Sequence, residues 1–171
     1  MTINLKNFLN TKPKFSKMGE FQELKPIDGL EISSYSADLY KNGRDDIALF
    51  YFKEGANYAA LYTTNSITSQ TIEWNKKSNK SFTKGLLVNT KNANTFTGDN
   101  CLESIDVLAK NLSRILTIRE SKSDEGVSET VKIKDLLFAS TGVIGEKFPT
   151  EKIVSSLQSL VDKLRDDHNK L

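Results

Sequence analysis

The sequence holds one cysteine, one histidine and three prolines in 171 residues, and each scarcity removes a class of explanation. A lone cysteine, Cys101, closes no intrachain disulfide and builds no cysteine-rich metal site. It falls on the apolar side of a helical pattern, with no histidine nearby to activate it, and reads as a small buried hydrophobe. The single histidine, His168, lies near the C-terminus among Arg165, Asp166, Asp167 and Lys170. Chain ends commonly fray, so it reads as part of a solvated polar face. A Ser-His-Asp triad or a histidine-based metal site therefore has no convincing basis within this chain. An excess of one charge is also missing. The 24 basic and 22 acidic side chains leave +2 and are mixed along the chain, which gives no electrostatic case for nucleic acid or an anionic membrane. No long apolar run occurs. The longest, Ile47 to Phe52, falls far short of the roughly 20 residues that a bilayer needs. The polar, basic N-terminus lacks the apolar segment of a secretory signal, so the expected location is cytoplasmic.

Leu, Ile, Val and Phe make up about 27% of the chain, above the ~20% below which highly charged chains stay disordered. A single domain over 1–171 is expected. Residues 1–25 read as an irregular basic arm. Strands begin at Leu30. After the Asn42-Gly43 turn, Ile47–Phe52 reads as a buried strand, broken by Gly55-Ala56-Asn57, with Tyr58–Thr64 as its hairpin partner. A short helix fits Thr68–Lys77, and a third core strand fits Gly85–Thr90. Cys101, Ile105, Leu108, Leu112 and Ile115 recur at helical spacing, with Asn100 and Glu103 placed as a capping box. Ile118–Lys134 is dominated by Ser, Asp, Glu and Lys and reads as a solvated excursion. A fourth strand, Asp135–Ser140, leads to Pro149-Thr150 and a second amphipathic helix carrying Ile153, Leu157, Leu160 and Leu164. Strands, helix, strand, helix in this order predict a mixed α/β domain, its strands sandwiched with helices.

Two stretches could carry chemistry. In Ala139-Ser140-Thr141-Gly142-Val143-Ile144-Gly145 an apolar strand runs into two glycines three apart and then a helix. Such a turn leaves backbone N–H groups free and lets another atom approach closely. That suits a bound anion or a developing oxyanion, and equally a purely structural turn. It is not a P-loop, which needs Gly-x4-Gly-Lys-Ser/Thr. In Asn89-Thr90-Lys91-Asn92-Ala93-Asn94-Thr95-Phe96-Thr97-Gly98, the three asparagines can satisfy a turn through their own side chains, or form the polar rim of a site.

Four blocks in order resemble the amino-terminal part of the ornithine acetyltransferase family, the bifunctional glutamate N-acetyltransferases of arginine synthesis. Tyr40-Lys41-Asn42-Gly43-Arg44-Asp45-Asp46-Ile47-Ala48-Leu49 is similar to the family's Lys-x-Gly-Arg-x-Asp-Leu-Ala-Leu segment. Tyr62-Thr63-Thr64-Asn65 is similar to its Phe-Thr-Thr-Asn strand end. Val88 to Gly98 resembles its Asn-Ser-Gly-Asn-Ala-Asn loop, and Ser140 to Glu146 its Ser-Thr-Gly-Val-Ile-Gly block, with Pro149 in place. The resemblance spans roughly residues 26 to 155 and implies the α-chain portion of a self-cleaving transferase, ending before the cleavage site. It further implies acetyl transfer from N-acetylornithine to glutamate through an acyl-enzyme, formed on the threonine that becomes the N-terminus of a β chain. It places the oxyanion donors at Thr141 and Gly142. It implies hetero-oligomers of α and β chains and no cofactor, and leaves open acetyl-CoA as an alternative acetyl donor. Two departures stand out. Lys91 occupies a glycine position, and Ser69-Gln70 an Ala-Pro position. The family's Thr-Thr-Asp segment, its substrate-contacting lysine and its Ala-Thr junction are not found by Leu171. The competing readings are a non-catalytic relict that keeps the fold, and a relative of the self-cleaving amidohydrolases and aminopeptidases.

Overall fold

The computed structural model describes residues 25–78, 80–97, 101–122 and 130–166, with the side chains of residues 101 and 102 excepted. The basic arm, the Asn100 cap, the Cys101 side chain, His168 and residues 123–129 of the polar excursion thus lie outside the described residues. Four strands, β1 (Leu30–Tyr35), β2 (Ile47–Asn57), β3 (Phe82–Asn89) and β4 (Leu136–Ser140), form one sheet in the order β1-β2-β3-β4. The first three run antiparallel, and β4 lies parallel to β3. Among the described residues three helices accompany the sheet: α1 (Gln70–Lys77), α2 (Cys101–Glu120) and α3 (Thr150–Asp162). Among the described residues no helix is long and apolar enough to cross a membrane.

Strand alternation decides where the core forms. Ile47, Leu49 and Tyr51 of β2, Leu87 of β3 and Leu136 and Phe138 of β4 meet the helices on one face. The stripe of α2 (Ile105, Leu108, Leu112, Ile115, Leu116) and that of α3 (Ile153, Leu157, Leu160, Val161) close over them. The opposite face is apolar too: Leu30, Ile32, Ala48, Phe50, Phe52, Leu86, Val88, Leu137 and Ala139 share it by register. None of these belongs to the core beneath the helices, and Phe50, Phe52, Leu86, Val88 and Leu137 are only half-buried. A mixed sheet with both faces apolar is built to carry a layer on each.

The sheet edges are closed instead of open. At β1 the Ile32 N–H donates to the Arg165 carbonyl at 2.8 Å. At β4 a side chain does the work of a strand. Asn75 of α1 donates Nδ2 to the Phe138 carbonyl at 2.8 Å, and its Oδ1 accepts from the Phe138 N–H at 3.0 Å. Trp74 Nε1 donates to the Leu136 carbonyl at 3.0 Å, and its ring meets Phe138 edge-on. Asn75→Leu would strip both bonds from a partly buried edge, and is expected to cost about 2 kcal/mol. Urea unfolding checks this, and an unchanged midpoint would deny Asn75 that role.

Three expectations need correction. Tyr58–Thr64 is not a hairpin strand: β2 continues through a bulge to Asn57, where it pairs with the start of β3. Both β2 ladders are thereby occupied, and the following segment runs outside the sheet with Leu61 fully exposed. Helix α2 does not end at Ile118. It continues to Glu120 because Arg119 ion-pairs with buried Glu31 at 2.7 Å and Glu120 accepts the Tyr51 hydroxyl. Burial first, and then the Glu120 carboxylate, push the Tyr51 phenol well above the usual tyrosine range. The end of the excursion is likewise ordered, with Val131 buried and a 3-10 turn at Ile133–Asp135 leading into β4.

Candidate active site at the paired strand ends

Parallel β3 and β4 end side by side, Asn89 opposite Ser140, so the chains leaving them run together. The Thr141 N–H donates to the Asn89 carbonyl at 3.1 Å and the Val143 N–H to the Lys91 carbonyl at 2.9 Å. Ala93 N–H donates to the Val143 carbonyl and Gly145 N–H to the Thr95 carbonyl, each at 2.9 Å. The asparagine loop and the Thr-Gly turn therefore line one end of the sheet, as their positions after core strands suggest.

The asparagines do hold this pair of loops in shape. Asn89 Oδ1 accepts from Ser140 Oγ at 2.6 Å, while its Nδ2 donates to the Thr90 and Asn92 carbonyls. Asn92, almost wholly buried, donates to the Glu146 and Lys147 carbonyls, and its Oδ1 accepts the Asn94 N–H at 2.8 Å. Asn94 Nδ2 is buried and has no partner among the described residues. Asp46 anchors the loop from below. Its carboxylate accepts the Ala37 and Leu39 N–H groups at 2.7 Å, and its carbonyl accepts the Thr90 N–H at 2.9 Å. The Gln70 N–H, at the start of α1, donates to the Asn94 carbonyl at 3.0 Å. A proline at 70, as the resemblance would place there, has no N–H to give.

Backbone conformation accounts for the glycines. Gly142 has φ +135°, and a Cβ there would lie 2.2 Å from the Lys91 carbonyl carbon and 2.6 Å from the Asn92 nitrogen. Three non-glycine residues of the facing loop are also left-handed: Lys91 (φ +73°), Asn94 (+50°) and Phe96 (+54°). Position 91, where the resemblance puts glycine, is thus a position that favours glycine, and this chain spends conformational energy to hold a lysine there.

The turn offers fewer free amides than its sequence suggests, because Thr141, Val143 and Gly145 all donate to the neighbouring loop. Among the described residues, the Gly142 N–H and the Thr141 hydroxyl make no hydrogen bond, and residues 141–147 are exposed. The Ile144 and Glu146 N–H groups further along also make no hydrogen bond among the described residues, but the Gly142 amide and Thr141 hydroxyl are adjacent in sequence at the strand end, and such a pair can hold an anionic oxygen. No group of His, Cys, Asp and Glu among the described residues is placed to hold a metal ion.

A helix-backed mixed sheet with free donors at the carboxyl ends of its parallel strands defines the class as α/β, and open α/β sheets generally bind ligands at those ends. The chain belongs to the ArgJ family, whose model matches residues 31–170. The arginine biosynthesis bifunctional protein ArgJ of Pseudomonas fluorescens is 30% identical over 151 residues, covering 88% of this chain and 34% of that protein. Its namesake in Caulobacter vibrioides is 28% identical, over 86% of this chain and 34% of that protein. The chain thus spans about a third of the length of these relatives. Among solved structures, ornithine acetyltransferase of Mycobacterium tuberculosis, complexed with ornithine, superposes with a TM-score of 0.71 at 20% identity, over 82% of this chain and 69% of that one. The ArgJ protein of Bacillus halodurans gives 0.65, also at 20% identity, over 77% and 62%. Both share the fold described above.

Proposed function

We propose that this chain is the amino-terminal, α-side part of a cytoplasmic glutamate N-acetyltransferase, and that Thr141 Oγ1 and the Gly142 N–H are its oxyanion hole. The observation that carries this reading is that these two adjacent donors stay free where the turn leaves β4, while the amides on either side of Gly142, those of Thr141 and Val143, are committed to the facing loop. Membership of the ArgJ family supports the following reaction. The acetyl carbonyl of N-acetylornithine is attacked by a threonine hydroxyl, ornithine leaves, and glutamate then takes the acetyl group from the acyl-enzyme. In each step a carbonyl oxygen acquires charge for a moment, and donors fixed in advance stabilise it without reorganising. The route uses no cofactor. The nucleophile comes from outside the 171 residues, on a β chain released when the precursor cuts itself. The apolar face of the sheet opposite the helices supports such a second layer.

Thr141→Ala in the assembled enzyme is expected to lower kcat by about 10²-fold with little change in KM for N-acetylornithine, since the lost bond forms fully only in the transition state. Steady-state kinetics test this. A change in KM alone would remove Thr141 from the oxyanion hole.

A further inference from the structure

We infer that Lys91 and Arg44, stacked against the ring of Tyr40, form a carboxylate clamp beside the Thr141-Gly142 turn, and that it binds the carboxylate of the amino-acid substrate. The inference rests on the transfer reading above and adds the residues that recognise the charged end of the molecule.

The geometry around Tyr40 is unusual in holding two like charges on one ring. The Arg44 guanidinium carbon lies 3.5 Å from the ring centroid, and Lys91 Nζ lies 5.6 Å from it. An aromatic face attracts a cation, but two cations sharing a ring repel one another, and an anion relieves that repulsion. Among the described residues neither side chain has a carboxylate partner. The acids nearby in sequence are engaged elsewhere. Asp45 accepts the Ser34 hydroxyl, the Asp46 carboxylate is filled by backbone N–H groups, and Asp38 pairs with Lys152 at 3.1 Å.

The position of the pair connects it to the turn. The Lys91 backbone is the surface against which Gly142 packs, and its carbonyl accepts the Val143 N–H. Tyr40 is held through its N–H on Asp46, the residue whose carbonyl also fixes Thr90. Lys91 also stays in a left-handed conformation that glycine would adopt without strain. Strain retained at a residue whose backbone packs against Gly142, and whose side chain is a cation without a carboxylate partner, indicates use of that side chain. A ligand with its acyl oxygen on Gly142 and its carboxylate toward Lys91 and Arg44 would be held at both ends.

The test uses the 171-residue chain carrying Leu86→Lys, a charge on the apolar sheet face that limits self-association, with N-acetylornithine and N-acetylornithinamide, in which the carboxylate is a neutral amide. Amide NMR titrations read the Gly142 resonance. This chain is expected to bind the carboxylate ligand about tenfold tighter than the amide, the size of a charge-assisted bond. Lys91→Gly fits φ +73° without strain, so folding is not at risk. It is expected to weaken the carboxylate ligand about tenfold and leave the amide unchanged, with Arg44→Gln acting likewise and Lys91→Arg retaining the preference. If both ligands shift Gly142 equally in every variant, the clamp is wrong while the oxyanion turn stands. If neither ligand shifts Gly142 in any variant, both assignments fall.

Discussion

Gly142→Ala is expected to cost at least about 3 kcal/mol of stability and to remove acetyl transfer from the assembled enzyme. The added methyl would sit 2.2 Å from the Lys91 carbonyl carbon and 2.3 Å from its oxygen, and these are backbone atoms without a rotamer to change. Either the turn or the asparagine loop has to move. Moving either breaks the bonds from Thr141 to Asn89 and from Val143 to Lys91, and the severe effects of single substitutions come from such overpacking and strain. Gly145→Ala provides the control. Gly145 also has a left-handed φ, +82°, but nothing lies within 4 Å of its added Cβ, so only backbone strain of about 1 kcal/mol applies. Urea midpoints of the two variants separate contact from conformation. Equal losses would mean that Gly142 does not pack against Lys91 as described.

The helices and the central strand were legible because their signals are local. Ile47, Leu49 and Tyr51 alternate within one strand, and the stripes of α2 and α3 repeat at 3.6 residues whatever they pack against. The errors fall where distant partners decide. Tyr58–Thr64 has the composition of a strand, yet the bulge after Tyr51 lets β2 run on past Gly55 and take the pairing itself. Arg119 and Glu120 look like solvated residues ending a helix. They are the partners of Glu31 and Tyr51, which lie 88 and 69 residues away. Glycine spacing and asparagine content singled out two loops, and the structure brings them together: Asn89 meets Ser140 and Thr141, and Gly142 packs against the Lys91–Asn92 backbone. The sequence could not show which amides remain free, since that depends on the parallel register of β3 and β4. Nor does any propensity mark Lys91 as left-handed. That signal came only from the glycine which the resemblance places there.

The isolated 171 residues are expected to show no acetyl transfer above the uncatalysed rate, and to self-associate. The first expectation follows from chemistry: the oxyanion hole proposed at Thr141 and Gly142 has nothing to stabilise until an activated nucleophile forms the tetrahedral intermediate. The second follows from packing. The sheet edges are closed by Arg165 and by Asn75, so strand addition is not the route. The route is the half-buried face bearing Phe50, Phe52, Leu86, Val88 and Leu137, since contiguous apolar area of this kind draws proteins together. Supplying the remaining two-thirds of a relative's length, the α-chain tail and the β chain together, should restore turnover and a single defined assembly at once, because one surface accounts for both. Leu86→Lys separates the two causes. It places a charge in the middle of that face, away from the turn, and is expected to reduce self-association of the isolated chain while blocking complementation. Light scattering and an acetyl-transfer assay read the two effects. A monodisperse chain that turns over alone, and still does so as Thr141→Ala, would place the chemistry elsewhere in the molecule.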